Sequence, residues 1–309
     1  MLDDENLRNL SRSLFLSAFS VGTRVGQWQI DRLAPTLEER QVSPGTVLFR
    51  EGDIPDFAYF MEGGEVELTR AGTTPLVMKG KWIIGVMECN IELRRLRTAT
   101  MRSKTRLIAA PAGVWRGIFE DDFWFVRNAF LGTSRAVAAL YARLTTEHLV
   151  AKHFTGTLDL PEEPLDLVER LLALSVSNYT RMAGMQALTA LAESATEARY
   201  ATGRALAAAG TGLGHMLLSG TLVGRRVGHG GSVTIGPGSF LPQGVLYHPE
   251  NWELENEGEL RVLSFRPETM LDELEEHQDL VRSVLGTLWR EREWLLEHLV
   301  APEGKIVLG

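Results

Sequence analysis

The spacing of apolar residues changes character several times along the chain. Leu7, Leu10, Leu14 and Phe15 fall on one face of a 3.6-residue period and predict a helix over 7–19. A second helix is expected over 24–40, interrupted or ended near Pro35. After the turn cluster Ser43-Pro44-Gly45, short runs over 46–50, 57–61 and 65–69 read as strands, separated by Glu51-Gly52-Asp53 and Glu62-Gly63-Gly64. Further strands are expected over 98–101 and 106–109. The chain then turns helical from Val114 to Val150, through Phe119, Phe123, Val126, Phe130, Val137, Leu140 and Leu144.

The second half repeats this order. Helices are expected over 167–174 and 185–197, strands over 204–208, 215–218, 221–227, 232–235 and 259–265, and helices over 267–276 and 280–300. Gly45, Leu48 and Gly52 face Gly203, Leu206 and Gly210 at a constant offset. Leu131-Gly132-Thr133 returns as Leu285-Gly286-Thr287, and Glu147-His148-Leu149-Val150-Ala151 as Glu297-His298-Leu299-Val300-Ala301. The fold class expected is α+β: two tandem β-roll, jelly-roll-like domains flanked by helices, over 1–154 and 165–309. The Pro- and Gly-bearing segment 155–164 is read as their linker.

Composition narrows the function. A chain of 309 residues with 44% hydrophobic and 23% charged residues is long enough for two cores. A net charge of -8 argues against nucleic-acid partners and anionic membrane surfaces. Cys89 has no second cysteine to pair with, the first residues carry no leader pattern, and no apolar run spans a bilayer; a cytoplasmic protein is expected. Gly210-Thr211-Gly212-Leu213-Gly214 looks like a phosphate loop but maps onto the Gly52 turn between strands, so no helix N-terminus is expected after it. The seven histidines show no metal-ligand spacing, and Ser11–Ser13 and Thr155–Thr157 have no His/Asp pattern near them. No catalytic residue, metal site or cofactor is expected, and the chain is read as a non-enzyme.

Helices, a small β-roll and then helices, carried by Pro44-Gly45-Thr46-Val47-Leu48-Phe49-Arg50-Glu51-Gly52-Asp53 and Tyr59-Phe60-Met61-Glu62-Gly63-Gly64-Glu65-Val66, resemble the cyclic nucleotide-binding domain superfamily. The resemblance implies a phosphate-binding cassette in which Gly-Glu-Leu opens a short helix and an Arg followed by a small residue closes it about ten positions on. A cyclic phosphodiester needs a guanidinium fork, and a carboxylate accepting from the ribose hydroxyl adds specificity. Gly85 is assigned as the opening glycine, with Arg97 and Thr98 as the closing pair, beside Arg94 and Arg95. Val86 stands where the family has Glu, so Glu88 is the candidate for the ribose contact. Thr145 and Thr146 are the loosely aligned candidates for the base. A decayed cassette with solvated arginines is the competing reading.

In the second copy Gln243 replaces the cassette Glu, Tyr247 falls at the closing position, and no Arg lies between Arg226 and Arg261; that pocket is expected to be dead. Val281, Val284, Leu285, Leu288, Leu295, Leu296 and Leu299, widened by Trp289 and Trp294, form a stripe that either packs on the protein's own β-roll or makes a seam with a second copy. No helix-turn-helix is expected after it. The reading is a regulatory or adaptor protein with a protein partner. Its first domain senses a cyclic nucleotide or similar small anion, and its second domain is a pseudo-domain. The alternatives are a scaffold with both pockets inactive and the regulatory subunit of a separate enzyme.

Overall fold

A computed structural model describes residues 34–147, 149–151, 159–209, 214–241, 251–299 and 306–308. The helix expected over 7–19, the glycine run after 209 and Gln243 and Tyr247 lie outside the described residues. Packing divides the chain into a first unit, Met1–Asp122 with Ala301–Gly309, and a second, Phe123–Val300.

The first unit holds β1 (Glu38–Val42), β2 (Val47–Phe49), β3 (Phe57–Met61), β4 (Glu65–Thr69), β5 (Leu76–Lys79), β6 (Trp82–Ile84), the short helix α1 (Val86–Asn90), β7 (Thr98–Met101), β8 (Thr105–Pro111) and α2 (Ala112–Asp121). One sheet runs β1-β8-β3-β6 and the other β14-β5-β4-β7-β2, where β14 is Ile306–Leu308, joining β5 in parallel. Their facing sides enclose Val42, Phe49, Tyr59, Met61, Val66, Ile84, Met101 and Leu107. Each such side chain contributes about 1.5–3 kcal/mol by leaving water. The run Phe57-Ala58-Tyr59-Phe60-Met61 is apolar on both sides because both are covered. Tyr59 and Met61 enter the core, while Phe60 meets the edge of Trp115 on α2 at 5.4 Å.

Three expectations are corrected here. Residues 38–42 form a strand rather than the end of a helix, because pairing with β8, Glu38 opposite Ala109 through Val42 opposite Thr105, overrides local helix preference. Strands β5 and β6 were not expected, having only four and three residues. The single helix expected over 114–150 is two: α2 ends at Asp121 and α3 (Phe123–Tyr141) belongs to the second unit, followed by β9 (Leu149–Ala151).

The second unit continues with α4 (Leu167–Val176), α5 (Met185–Ser194), β10 (Thr196–Tyr200), α6 (Gly203–Ala209), β11 (Gly214–Arg226), β12 (Ser232–Ile235), β13 (Trp252–Phe265), α7 (Pro267–Glu276) and α8 (Gln278–Glu297). Its sheet runs β10-β13-β11-β12-β9, with β9 parallel to β12. The strand expected over 204–208 is the helix α6: its alanines favour helix, and the Thr202 hydroxyl accepts from the Ala205 N–H at 3.1 Å. Helix α8 packs along α3, and Val281, Val284, Leu285, Leu288, Leu295 and Leu296 are buried within the unit. These side chains are covered by the chain's own elements, with the helix α3 beside them where the first reading expected the β-roll. The described part of the 155–164 segment is tied down. Buried Arg261 donates to the carbonyls of Pro161 and Glu163 and, through Nε, to Glu197 Oε1 at 2.6 Å.

Among the described residues no helix is long and apolar enough to cross a membrane.

Candidate functional site

The cassette begins where β6 ends. Gly85 takes φ 72° and ψ 18°, a left-handed backbone that lets the chain turn from the strand into α1. Within α1, Met87, Glu88, Cys89 and Asn90 are buried. Five residues beyond α1 the backbone returns to the β2–β3 turn: the Arg95 N–H donates to the Asp53 carbonyl at 2.9 Å, and the Gly52 N–H donates to the Arg95 carbonyl at 2.8 Å.

That anchorage drives the Arg95 side chain inward, to 1% exposure. Its Nη1 donates to the Gly85 carbonyl at 2.6 Å and its Nη2 to the Phe57 carbonyl. Glu88 Oε2 lies 3.8 Å from Nη1, Asp56 Oδ1 4.0 Å from Nη2, and the Phe49 ring centroid 4.1 Å from Cζ. A buried guanidinium is thus balanced by two carboxylates and an aromatic face. Its Nε–H faces no acceptor among the described residues. The Cys89 thiol lies 3.8 Å from Nη2, and burial pushes it up to about 11 despite the nearby cation, so it stays a thiol.

The structure therefore brings together Gly85, Glu88 and Arg95, while Arg97 and Thr98 lie elsewhere. Arg97 is 4% exposed, and its Nη1 points to the carbonyls of Leu68 and Thr74, at 3.5 and 3.3 Å, and to Thr73 Oγ1 at 3.4 Å. It braces the turn between β4 and β5. The Thr98 hydroxyl accepts from the Glu51 N–H at 3.0 Å and braces the turn after β2. Arg94 donates to the Gly52 carbonyl at 2.9 Å. Arg95 stands ten positions after Gly85, the spacing that the resemblance implies for a closing arginine, whereas Arg97 stands further on.

In the second unit both arginines that flank the corresponding stretch serve the scaffold. Arg226 donates to the Leu144 carbonyl at 3.0 Å, and Arg261 pairs with Glu197. The Thr146 hydroxyl donates to the His298 carbonyl at 2.8 Å. Among the described residues no group of three His, Cys, Asp or Glu side chains could hold a metal ion.

Residues 39–122, the stretch that carries Gly85, Glu88 and Arg95, match the family model of the cyclic nucleotide-binding domain. The chain is also 30% identical over 113 residues to a cAMP-dependent protein kinase regulatory subunit of Yarrowia lipolytica, covering 37% of this chain. It spans only 30% of that relative's length. Solved structures similar to it include a cyclic nucleotide-binding-like protein from Brucella abortus, 23% identical, covering 36% of this chain and 98% of that one with a TM-score of 0.29. Another is the regulatory domain of Toxoplasma gondii PKA with cAMP, 12% identical, covering 94% and 99% with a TM-score of 0.32.

Proposed function

We propose that the protein is a non-enzymatic cytoplasmic regulator whose cyclic nucleotide-binding domain takes a cyclic nucleotide or a similar small anion, with Arg95 as the cation that meets the phosphate. The observation that carries this reading is the buried Arg95 guanidinium, ten residues after Gly85 and balanced by Glu88 and Asp56. A fork already dehydrated needs no further desolvation when an anion arrives, and its two carbonyl bonds can be exchanged for phosphate oxygens. Glu88 holds the fork, and the half-buried Val86 leaves the ribose without a carboxylate, so binding is weak. The second domain, from 165 onward, is proposed as a non-binding copy whose surfaces meet a protein partner. In this reading the partner is an enzyme that the chain regulates.

One observation favours a second reading, a scaffold with both pockets inactive: Arg95 is already occupied by its own backbone carbonyls.

Calorimetry of the full chain against cAMP, cGMP and cyclic dinucleotides separates the two. The sensor reading expects saturable heat for one of them. Arg95→Ala should weaken binding about 30-fold or more, since an unpaired buried phosphate costs roughly 2–5 kcal/mol. Val86→Glu should strengthen binding of cAMP by restoring the ribose acceptor. If neither the wild type nor Val86→Glu gives heat at millimolar nucleotide, the sensor reading fails and the scaffold stands.

A further inference from the structure

The second unit encloses a cavity of about 180 Å³ between the ends of β11 and β13 and the helices α3, α7 and α8. Its wall is almost entirely apolar. Tyr179, Phe240 and Phe265 form a run of rings, with centroids 5.1 and 5.7 Å apart, and Phe130, Met270 and Leu288 line it from the helices. Rings arranged in this way offer faces and edges to another flat ring. Apolar cavities of roughly 150 Å³ stay dry and take up benzene, so this one accommodates a substituted ring.

Ser134, His215, Arg266 and Glu291 bring polar atoms to the wall, and two of these residues are buried. His215, 1% exposed, sits opposite Ser264 on the neighbouring strand, and its Nδ1 lies 2.9 Å from Ser264 Oγ. Its Nε2 has no hydrogen-bond partner among the described residues. A buried imidazole nitrogen left unpaired is costly, and in a cavity wall it marks where a ligand's polar atom belongs. Burial lowers the ring to about 4, so it is uncharged at neutral pH. The second group is Glu291, 4% exposed, whose carboxylate accepts from the hydroxyls of Tyr141, at 2.6 Å, and Tyr179. Arg266 also lines the cavity but is exposed to solvent. An anion entering would meet a carboxylate and a neutral imidazole, with the guanidinium screened by water.

We propose that this cavity is a binding site for a small uncharged aromatic molecule carrying a hydroxyl, with the ring against Tyr179, Phe240 and Phe265 and the hydroxyl on His215 Nε2. A hydroxyl suits the site because it donates or accepts, as the imidazole tautomer set by Ser264 requires. The site is distinct from the Arg95 cassette in the first unit, and its ligand class is the opposite: neutral rather than anionic.

The test titrates the full chain by calorimetry with three probes of one shape: para-cresol, toluene and para-toluate. Para-cresol should bind saturably, about fivefold to tenfold more tightly than toluene for the one hydrogen bond gained, with para-toluate weakest. His215→Phe should erase the advantage of cresol over toluene while leaving toluene within about threefold, as loss of one hydrogen bond alone would. Ala138→Leu, or Ser134→Leu should that variant fail to fold, should weaken both neutral probes about tenfold by filling the cavity. Absence of saturable cresol binding by a cooperatively melting wild type would overturn the proposal. So would para-toluate binding more tightly than cresol, or cresol binding that neither filling variant changes.

Discussion

Replacing Gly85 by alanine tests the geometry of the cassette directly. Two costs add. The left-handed backbone at φ 72° disfavours any Cβ by about 1–2 kcal/mol. The added Cβ would also lie 2.2 Å from Arg95 Nη1 and 3.0 Å from both Arg95 Cζ and Phe49 Cε1. The guanidinium has no room to retreat, with the Phe49 ring 4.1 Å from Cζ and Nη2 held by the Phe57 carbonyl. Relieving the clash gives up at least the Gly85 carbonyl bond, a charged hydrogen bond of about 1.5–3 kcal/mol. Gly85→Ala should therefore cost roughly 2.5–5 kcal/mol. Gly45 supplies the control: its φ is 87°, nothing lies within 4 Å of its virtual Cβ, and Gly45→Ala should cost only the strain, about 1–2 kcal/mol. Urea denaturation of the full chain, read by hydrogen exchange on β3 and β8, measures both. In an Arg95→Met background the excess cost of Gly85→Ala over Gly45→Ala should vanish. Equal costs in the wild-type background would show that Arg95 does not occupy the space beside Gly85, and the assignment of Arg95 to the cassette would fall with it.

Three further outcomes follow from the same bonds. Arg97→Ala should lower stability by about 1–3 kcal/mol, since it frees the Leu68 and Thr74 carbonyls, yet leave any cyclic-nucleotide heat within about twofold; lost binding at unchanged stability would return the phosphate contact to Arg97. Burial works against the charge of Glu197, but the Arg261 bond and the Leu165 N–H outweigh it and hold its carboxyl below the ordinary range. The stability this gives is present above the unfolded value, about 4, and is lost as pH falls through the folded one. Arg261→Met should flatten that acid loss, and acid-unfolding curves that superimpose would refute the linkage. Burial, reinforced by the Glu291 charge, raises the phenols of Tyr141 and Tyr179 well above their usual value. Their contribution is full below about pH 10 and falls away as pH climbs towards the folded value. Spectrophotometric titration should find both phenols ionising only with unfolding; reversible ionisation of both near pH 10 in the folded chain would contradict the burial.

What the sequence revealed depended on how local the signal was. The strands of the first roll announced themselves through turn residues, such as the clusters around Gly45 and Gly52, and through alternation, as in Glu65-Val66-Glu67-Leu68-Thr69. The helix over 203–209 is hidden by the repeat pattern, which sets a strand there against the local preference of its four alanines. The short strand β14 carries no period of its own: three residues form a strand only because β5, far away in sequence, offers an open edge. Arg97 and Arg95 could not be told apart by residue type, since both are buried guanidiniums on the same approach to β7. Their difference lies in which carbonyls the fold places within reach. The cavity in the second unit had no sequence signature at all. Tyr179, His215, Phe240, Phe265 and Glu291 come from five separate segments, each of which reads as ordinary core.

The two edge strands explain why repetition in the sequence and division by packing disagree. In each unit a three-residue strand that arrives after a long helix closes the sheet in parallel: β9 beside β12 in the second unit, β14 beside β5 in the first. The first unit draws its last strand from the far end of the chain, and α3, which follows the first roll in sequence, packs with α8 in the second. A boundary drawn where the sequence starts to repeat separates α3 from the helix that covers it. Burial binds them instead: Val137 and Tyr141 on α3, and Val281, Val284, Leu285 and Leu288 on α8, lose their water only within one unit. The same arrangement sets the Tyr141 hydroxyl on Glu291 and leaves the cavity between those helices and the sheet. The buried residues of the α8 stripe are therefore covered within the unit, in part by α3 from the first half of the same polypeptide.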